Sequence, residues 1–127
     1  MLEKLRLKKI EFATGSNPLK AMKFTMSDNQ ESPVYGVFQW RTFKKIFDDY
    51  AHFTKIQVLS NKEQIDGLRL YGHEKKPTFE FIGKIRQGKW FEIEINDEEH
   101  IIGVTLLVDN EATPPRPKAI SFTLYKP

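Results

Sequence analysis

The sequence contains no cysteine, which excludes disulfide bridges and thiolate metal sites. No apolar run approaches the roughly 20 residues that a membrane-spanning helix needs. The charged opening, MLEKLRLKKI, lacks the apolar segment of a secretory signal peptide, and no Asn-x-Ser/Thr sequon occurs. From these absences we expect a cytoplasmic chain without a membrane span.

Charge of one sign is nowhere concentrated. The chain has 20 lysine and arginine residues against 17 aspartates and glutamates, and its basic runs are short pairs beginning at Lys8, Lys44 and Lys75. Specific nucleic-acid binding needs basic residues clustered on one face. Three scattered histidines also make a poor metal site. We therefore expect no specific nucleic-acid partner and no cofactor.

The hydrophobic pattern predicts strands rather than helices. Apolar and charged residues alternate in residues 9–12, 79–81 and 91–95, which is the period of a strand with one buried face. Turn signals separate such segments, among them Asn96-Asp97 and the proline-rich loop 109–117. Residues 43–50 would suit a short helix in isolation, but they align with the strand pattern that begins at Phe91. A single all-β domain over residues 1–127 is predicted.

One hairpin unit recurs three times along the chain. The first strands lie at residues 9–12, 55–58 and 103–106, and each second strand carries a small residue before an apolar-polar-apolar run: Ala21, Gly67 and Ala119. The hairpin loops fall at residues 14–18, 60–64 and 109–114. Units of about 45 residues would each cover one side of a common core, because a lone four-stranded sheet cannot bury its apolar face. The predicted core is Ile10, Phe12, Met22, Phe24, Ile56, Leu68, Ile93, Val104, Ile120 and Phe122.

This order of hairpins and connecting strands resembles the jacalin-related lectins over nearly the whole chain. The resemblance rests on the strand and turn patterns of residues 7–12 through Pro33-Val34-Tyr35-Gly36, and of residues 91–104. It implies a β-prism, an all-β fold of three antiparallel Greek-key sheets with a pseudo-threefold repeat. A match in the pattern of core residues indicates the fold and is weaker evidence for the function.

The resemblance also implies a sugar site that combines a Gly-rich loop with a Gly-x-x-x-Asp hairpin loop. Accessible main-chain amides and an ionised carboxylate give directional hydrogen bonds to sugar hydroxyls. In these lectins the usual site lies on the final hairpin, where this sequence has Pro114 and Lys118 at the Gly and Asp positions. No Gly-rich loop precedes the first hairpin, and residues 2–7 are expected to form an exposed sheet edge.

The middle hairpin is closer to the sugar motif. Asp66 stands at the carboxylate position, although Lys62 replaces the glycine. The neighbouring loop carries two glycines, with Trp90 close behind. The resemblance therefore implies a carbohydrate site made of Asp66, Gly83, Lys84, Gln87, Gly88 and Lys89. The alternative is that Asp66 is a surface residue at the end of a turn and that both glycines serve tight turns.

Catalysis has little support in the sequence. His52 and His100 occupy equivalent repeat positions, which favours a structural role at strand ends. Asp97, Glu98 and Glu99 place carboxylates together, but in a predicted turn with nothing to shift a pKa. We expect a protein that is not an enzyme.

Two functions remain open. The first is a lectin-like domain that binds a glycan with mannose- or galactose-type sugars, alone or as a module of a larger protein. The second is a β-prism that has lost sugar binding and attaches a protein partner through the edge of residues 2–7 or through aromatics such as Phe38 and Trp40. A homo-oligomer is compatible with either function. Binding to a glycan array separates the two.

Overall fold

The computed structural model describes residues 5–14, 19–38, 41–47, 52–61, 64–83, 88–112 and 115–126. These ranges contain ten strands, which run in chain order: β1 Leu7–Thr14, β2 Leu19–Met26, β3 Tyr35–Gly36, β4 Arg41–Ile46, β5 Lys55–Ser60, β6 Ile65–Tyr71, β7 Phe79–Ile82, β8 Lys89–Glu94, β9 His100–Asp109 and β10 Arg116–Tyr125. The described residues include no helix long and apolar enough to cross a membrane. The predicted all-β class is confirmed.

Two of the three sheets are four-stranded antiparallel Greek keys. The strand order is β3-β2-β1-β4 in the first sheet and β7-β6-β5-β8 in the second. In each, a central hairpin is flanked by the two strands that follow it, and the last strand returns to lie beside the first. The two sheets therefore repeat one topology, as the internal repeat of the sequence predicts.

The third sheet consists of the β9–β10 hairpin within the described residues. Of residues 2–7, which the sequence suggested as an exposed edge, the structure describes Leu5, Arg6 and Leu7. Leu7 is buried and pairs with Met26 as the first residue of β1, while Leu5 and Arg6 precede the strand. Residues 2–4 lie outside the described ranges. The expectation is wrong at Leu7 because its side chain joins the core instead of facing solvent.

Residues 43–50, the segment with helical character in isolation, begin in a strand. β4 pairs with β1 from Arg41 to Ile46, and Phe43 stacks on its cross-strand partner Phe12 with ring centroids 5.4 Å apart. Residues 48–51 lie outside the described ranges. The strand interpretation, taken from the repeat at Phe91, is confirmed for the described part. Cross-strand packing overrides a weak local helical preference here.

Most of the predicted core is buried. Six of its members are buried: Ile10, Met22, Phe24, Ile56, Leu68 and Val104. Phe12, Ile120 and Phe122 are partly buried and pack against that cluster. Ile93 is the exception, with 39% of its surface exposed. Its place in the core is a wrong prediction, because β8 is an edge strand and no described strand covers its inward face.

Candidate functional site

Each of the three hairpins carries one extra residue next to its loop. The pairing of β1 with β2 skips Lys20, that of β5 with β6 skips Asp66, and that of β9 with β10 skips Lys118. Such a β-bulge breaks the regular alternation of side chains and re-aims the extra residue. The sequence position assigned to the sugar-motif carboxylate is therefore a bulge in every sheet. Only the second sheet has an acid there.

Asp66 is fully buried, with 0% of its surface exposed. Its Oδ1 accepts a hydrogen bond of 2.6 Å from the side-chain amide of Gln64. Its Oδ2 is also buried and has no hydrogen-bond partner among the described residues. A buried acceptor without a donor is costly, so such an atom calls for an explanation. The burial rules out the alternative in which Asp66 is a surface residue.

The hairpin loop fixes the position of Gln64. The Asn61 side-chain oxygen accepts from the backbone N–H of Gln64 at 3.0 Å, and the Asn61 N–H donates to the Gln64 carbonyl at 3.1 Å. These two bonds close the loop across residues 62–63, which lie outside the described ranges. An Asn side chain that bonds backbone in this way stabilises a turn. Gln64 is thereby held where its amide reaches Asp66, a contact that the sequence analysis did not identify.

The loop that follows β7 is attached to the bulge. The Gly83 N–H donates to the Asp66 carbonyl oxygen at 2.6 Å. The first sheet repeats this contact, since the Val37 N–H donates to the Lys20 carbonyl at 3.3 Å. The contact therefore belongs to the repeated architecture. Lys84 and Gln87, the next residues of the predicted site, lie outside the described ranges.

Gly88 anchors the far end of the same loop. A Cβ at this position would lie 2.2 Å from the Ser60 carbonyl oxygen, so only glycine allows the two backbones to approach. Lys89 follows as the exposed first residue of β8 and pairs with Ser60. Of the six residues predicted for a sugar site, Asp66, Gly83, Gly88 and Lys89 thus lie at one end of the second sheet.

The outer face of the second sheet carries a cation–aromatic pair. The Arg69 guanidinium lies 4.3 Å from the centroid of the Trp90 ring, and Arg69 Nε is 2.8 Å from Glu80 Oε2. A Cβ on Gly67 would lie 3.2 Å from the ring. The indole of Trp90 therefore reaches across β5 to Gly67, the small residue of β6. A cation over a Trp face is attractive and fixes the ring. The sequence analysis noted Trp90 but not Arg69, because the pair depends on strand register.

The histidines lie at the strand ends away from the hairpin loops. A small pocket there is lined by Arg6, Leu7, His52, Phe53, His100 and Ile101. Burial, followed by the nearby His73 imidazole, lowers the pKa of His52. His52 stacks on His73 with ring centroids 5.6 Å apart, and His100 packs edge-on against Tyr125. These contacts favour a structural role, and no group of three candidate metal ligands occurs in the described part of the chain.

The acidic run Asp97, Glu98 and Glu99 forms part of a surface turn. Glu99 Oε1 accepts from the Asn96 N–H at 3.2 Å, and Glu98 Oε2 lies 3.4 Å from Lys126 Nζ. Both contacts are exposed to solvent. General acid–base work needs a carboxyl whose pKa is shifted by burial or by a close charge, and this turn offers no enclosure of that kind.

Three strand pairs that repeat around one core define the fold as a β-prism. Neither a family model nor a curated protein matches the sequence. Solved structures do match the fold. A prostate-specific WGA16 glycoprotein lectin superposes with a TM-score of 0.70 at 16% identity, over 96% of this chain and 83% of that chain. A Malaysian banana lectin superposes with a TM-score of 0.70 at 17% identity, over 96% of this chain and 84% of that chain. The chain therefore has the β-prism fold of jacalin-related lectins.

Proposed function

We propose that this chain is a carbohydrate-binding, lectin-like domain without catalytic activity. Its sugar site would be the loop end of the second sheet, formed by Asp66, Gly83, Lys84, Gln87, Gly88 and Lys89. The observation that carries the proposal is the buried Oδ2 of Asp66, an acceptor that no described residue satisfies. A sugar hydroxyl is a donor suited to it. The shared fold with two lectins supports the same function.

The geometry gives the residues different roles. Asp66 Oδ2 accepts from a sugar hydroxyl while Gln64 keeps the carboxylate oriented through Oδ1. The Gly83 N–H is already bonded to the Asp66 carbonyl, so Gly83 fixes the loop rather than the ligand. Lys89 is an exposed cation at the rim that suits a sugar oxygen. Because Asp66 is fully buried, binding requires that the surface above the carboxylate open. Such a step slows association below the diffusion-limited rate.

Asp66→Asn tests the carboxylate directly. Asparagine keeps the shape and an oxygen that accepts from Gln64, but it removes the charge that strengthens a bond to a hydroxyl. A hydrogen bond to a charged group contributes roughly 1.5–3 kcal/mol, so the dissociation constant should rise about ten- to a hundredfold. The measurement is a calorimetric titration with the best ligand of a glycan array that includes mannose- and galactose-type sugars.

The internal repeat supplies matched controls for this titration. Lys20→Ala and Lys118→Ala alter the two other bulge residues and should leave the affinity for sugar unchanged. If Asp66→Asn binds like the parent, or if Lys118→Ala loses binding, the site lies elsewhere. A flat array would contradict the proposal as a whole.

A second candidate function is attachment of a protein partner. The observation in its favour is a pair of exposed apolar residues, Phe91 on the edge strand β8 and Leu107 on β9, at 57% and 59% exposure. Apolar side chains exposed beside an open strand edge are typical of interaction surfaces. Phe38 is only half-buried in the structure, and Trp40 lies outside the described ranges.

A further inference from the structure

The Trp90 indole lies along the outer face of the second sheet instead of pointing away from it. β8, which carries Trp90, and β6, whose Gly67 the ring approaches, are two strand spacings apart, about 10 Å. Between them, on the same face, lies Leu59 of β5, the cross-strand partner of both residues. Leu59 is 2% exposed although it is not part of the central core cluster. The indole therefore lies over Leu59 and covers it.

Arg69 holds the indole in place. Its guanidinium lies 4.3 Å from the centroid of the Trp90 ring. The same side chain bonds Glu80 through Nε at 2.8 Å and Gln57 through a terminal nitrogen at 3.4 Å. An aromatic ring that is fixed before a ligand arrives lowers the entropic cost of binding. Since Trp90 keeps 40% of its surface exposed, the sheet presents a rigid aromatic surface to solvent.

This aromatic surface borders the proposed sugar site. Gly67, which the ring approaches, follows Asp66 directly in β6, and Lys89, at the rim of the site, directly precedes Trp90 in β8. A ligand that reaches Asp66 and extends over the outer face of the sheet would therefore meet the indole next.

The first sheet lacks both the acid and the indole at the equivalent positions. Its bulge residue is Lys20, and the small residue that follows is Ala21. Ala21 pairs with Ala13, and Ala13 pairs with Thr42, which stands where the second sheet has Trp90. The two sheets share one topology and one register, so the fold itself does not require a tryptophan there. The acid and the indole occur together on one sheet, which favours a joint role.

We propose that the indole of Trp90 is a second sugar subsite, on which the ring next to the one held by Asp66 stacks. The inference rests on the proposed function and narrows its ligand to an oligosaccharide of two or more units. The C–H groups on one face of a sugar ring are apolar and pack against an aromatic ring. A tryptophan offers a large contact area at a low cost in conformational entropy. Arg69 and Lys89 supply N–H donors beside the ring for the hydroxyls of the stacked sugar.

Two ligands test the subsite by calorimetric titration: the best oligosaccharide of the glycan array and the methyl glycoside of its terminal sugar. We expect the parent to bind the oligosaccharide more tightly. In Trp90→Ala the ratio of the two affinities should fall roughly tenfold, because the stacking contact is lost. Trp90→Leu should show a similar fall. Leucine keeps an apolar cover over Leu59, so this variant guards against unfolding of the alanine variant.

Tyr71→Ala is the matched control. Tyr71 is an aromatic residue on the same outer face of β6, and Lys55 Nζ lies 4.3 Å from the centroid of its ring. It is four residues beyond Gly67, roughly 13 Å away along the strand, at the end opposite the sugar site. The ratio of the two affinities should be the same in Tyr71→Ala as in the parent.

Intrinsic fluorescence provides a measurement that leaves position 90 unchanged. The chain has two tryptophans, so Trp40→Phe leaves Trp90 as the reporter. Its emission should change at saturation with the oligosaccharide and change much less at saturation with the methyl glycoside.

The outcomes separate the second subsite from the sugar site itself. If Asp66→Asn weakens both ligands while the affinity ratio is the same in the parent and in the Trp90 variants, the sugar site stands and the second subsite is wrong. A parent that binds both ligands equally would overturn the subsite too, as would Trp90 emission that does not respond to the oligosaccharide. A parent that binds neither ligand contradicts the proposed function, and the subsite falls with it.

Discussion

Gly88 holds the start of β8 against the hairpin loop of the second sheet. A Cβ there would meet the Ser60 carbonyl oxygen at 2.2 Å and Asn61 N at 3.0 Å, and both are backbone atoms. Backbone cannot rotate away as a side chain can, so the loop itself must shift. The proposed sugar site depends on this close approach, because the loop between Gly83 and Gly88 is anchored at both ends.

Gly88→Ala is therefore expected to destabilise the protein by about 1–3 kcal/mol. Gly103→Ala is the control. A Cβ at Gly103 would meet Thr123 only at 3.6 Å, an ordinary contact, and the reduced freedom of the unfolded chain should leave stability equal or raised by about 0.4–1 kcal/mol. Urea unfolding of the two variants measures both values. Equal unfolding midpoints for the two would contradict the close approach.

We expect His52 to make the stability of the protein depend on pH. Its pKa is lowered from 6.5, first by burial and next by His73, with smaller contributions from Arg6 and His100 that Asp97 opposes. A lowered pKa means that the unfolded chain binds the proton more readily than the folded one. The contribution of neutral His52 to the free energy of unfolding is then fully present above pH 6.5, and it is lost as the pH drops through the pKa of the folded state.

His52→Gln should flatten that part of the curve. We expect the difference in unfolding free energy between parent and variant to be constant above pH 7 and to shrink or reverse as the pH falls below 6.5. Urea midpoints at pH 8, 6.5 and 5.5 provide the comparison. A difference that stays constant over the whole range would show that His52 does not titrate differently on folding.

At the scale of the strand, β8 shows what alternation does and does not reveal. Its pattern predicts a strand, and a strand is found. The pattern does not reveal that the strand lies at an edge, where an inward-facing residue is covered only if another strand reaches it. Ile56 and Ile93 illustrate the point, because they pair with each other on one face and yet Ile56 is fully buried while Ile93 is not.

This difference predicts unequal costs for one substitution at two paired positions. Ile56→Ala should destabilise the protein by about 2–5 kcal/mol, since it leaves a cavity in a closed core. Ile93→Ala should cost less than about 1 kcal/mol, since the residue is partly exposed at an edge. Thermal and urea unfolding test both. Comparable losses at the two positions would mean that β8 is covered in solution.

The three β-bulges could not be predicted from the sequence. The three small residues Ala21, Gly67 and Ala119 align the hairpins well enough to predict the repeat and the motif position. A bulge is a matter of register between two strands, and one strand's sequence does not contain it. The burial of Asp66 and its bond with Gln64 follow from that register, which explains why the sequence analysis allowed a surface residue there.

At the scale of the molecule, one topology is used three times with different completeness. The sequence repeat predicts the number of sheets, because each repeat brings one hairpin and the faces must share a core. It does not predict that the third sheet has only its central hairpin in the described residues, since that depends on what pairs at its edges. The proposed sugar site belongs to the second sheet, because the first and third sheets carry lysine at the equivalent bulge.

The central claim is that sugar binds at one of the three equivalent hairpin ends. The most direct test is a titration of the isotopically labelled chain with the best array glycan, followed by amide chemical-shift mapping. The account predicts that the shifted amides are confined to residues 64–67 and 83–89, with Lys20 and Lys118 and their neighbours unchanged. Shifts centred on Lys20 or Lys118, or no shifts at saturating glycan, would contradict it.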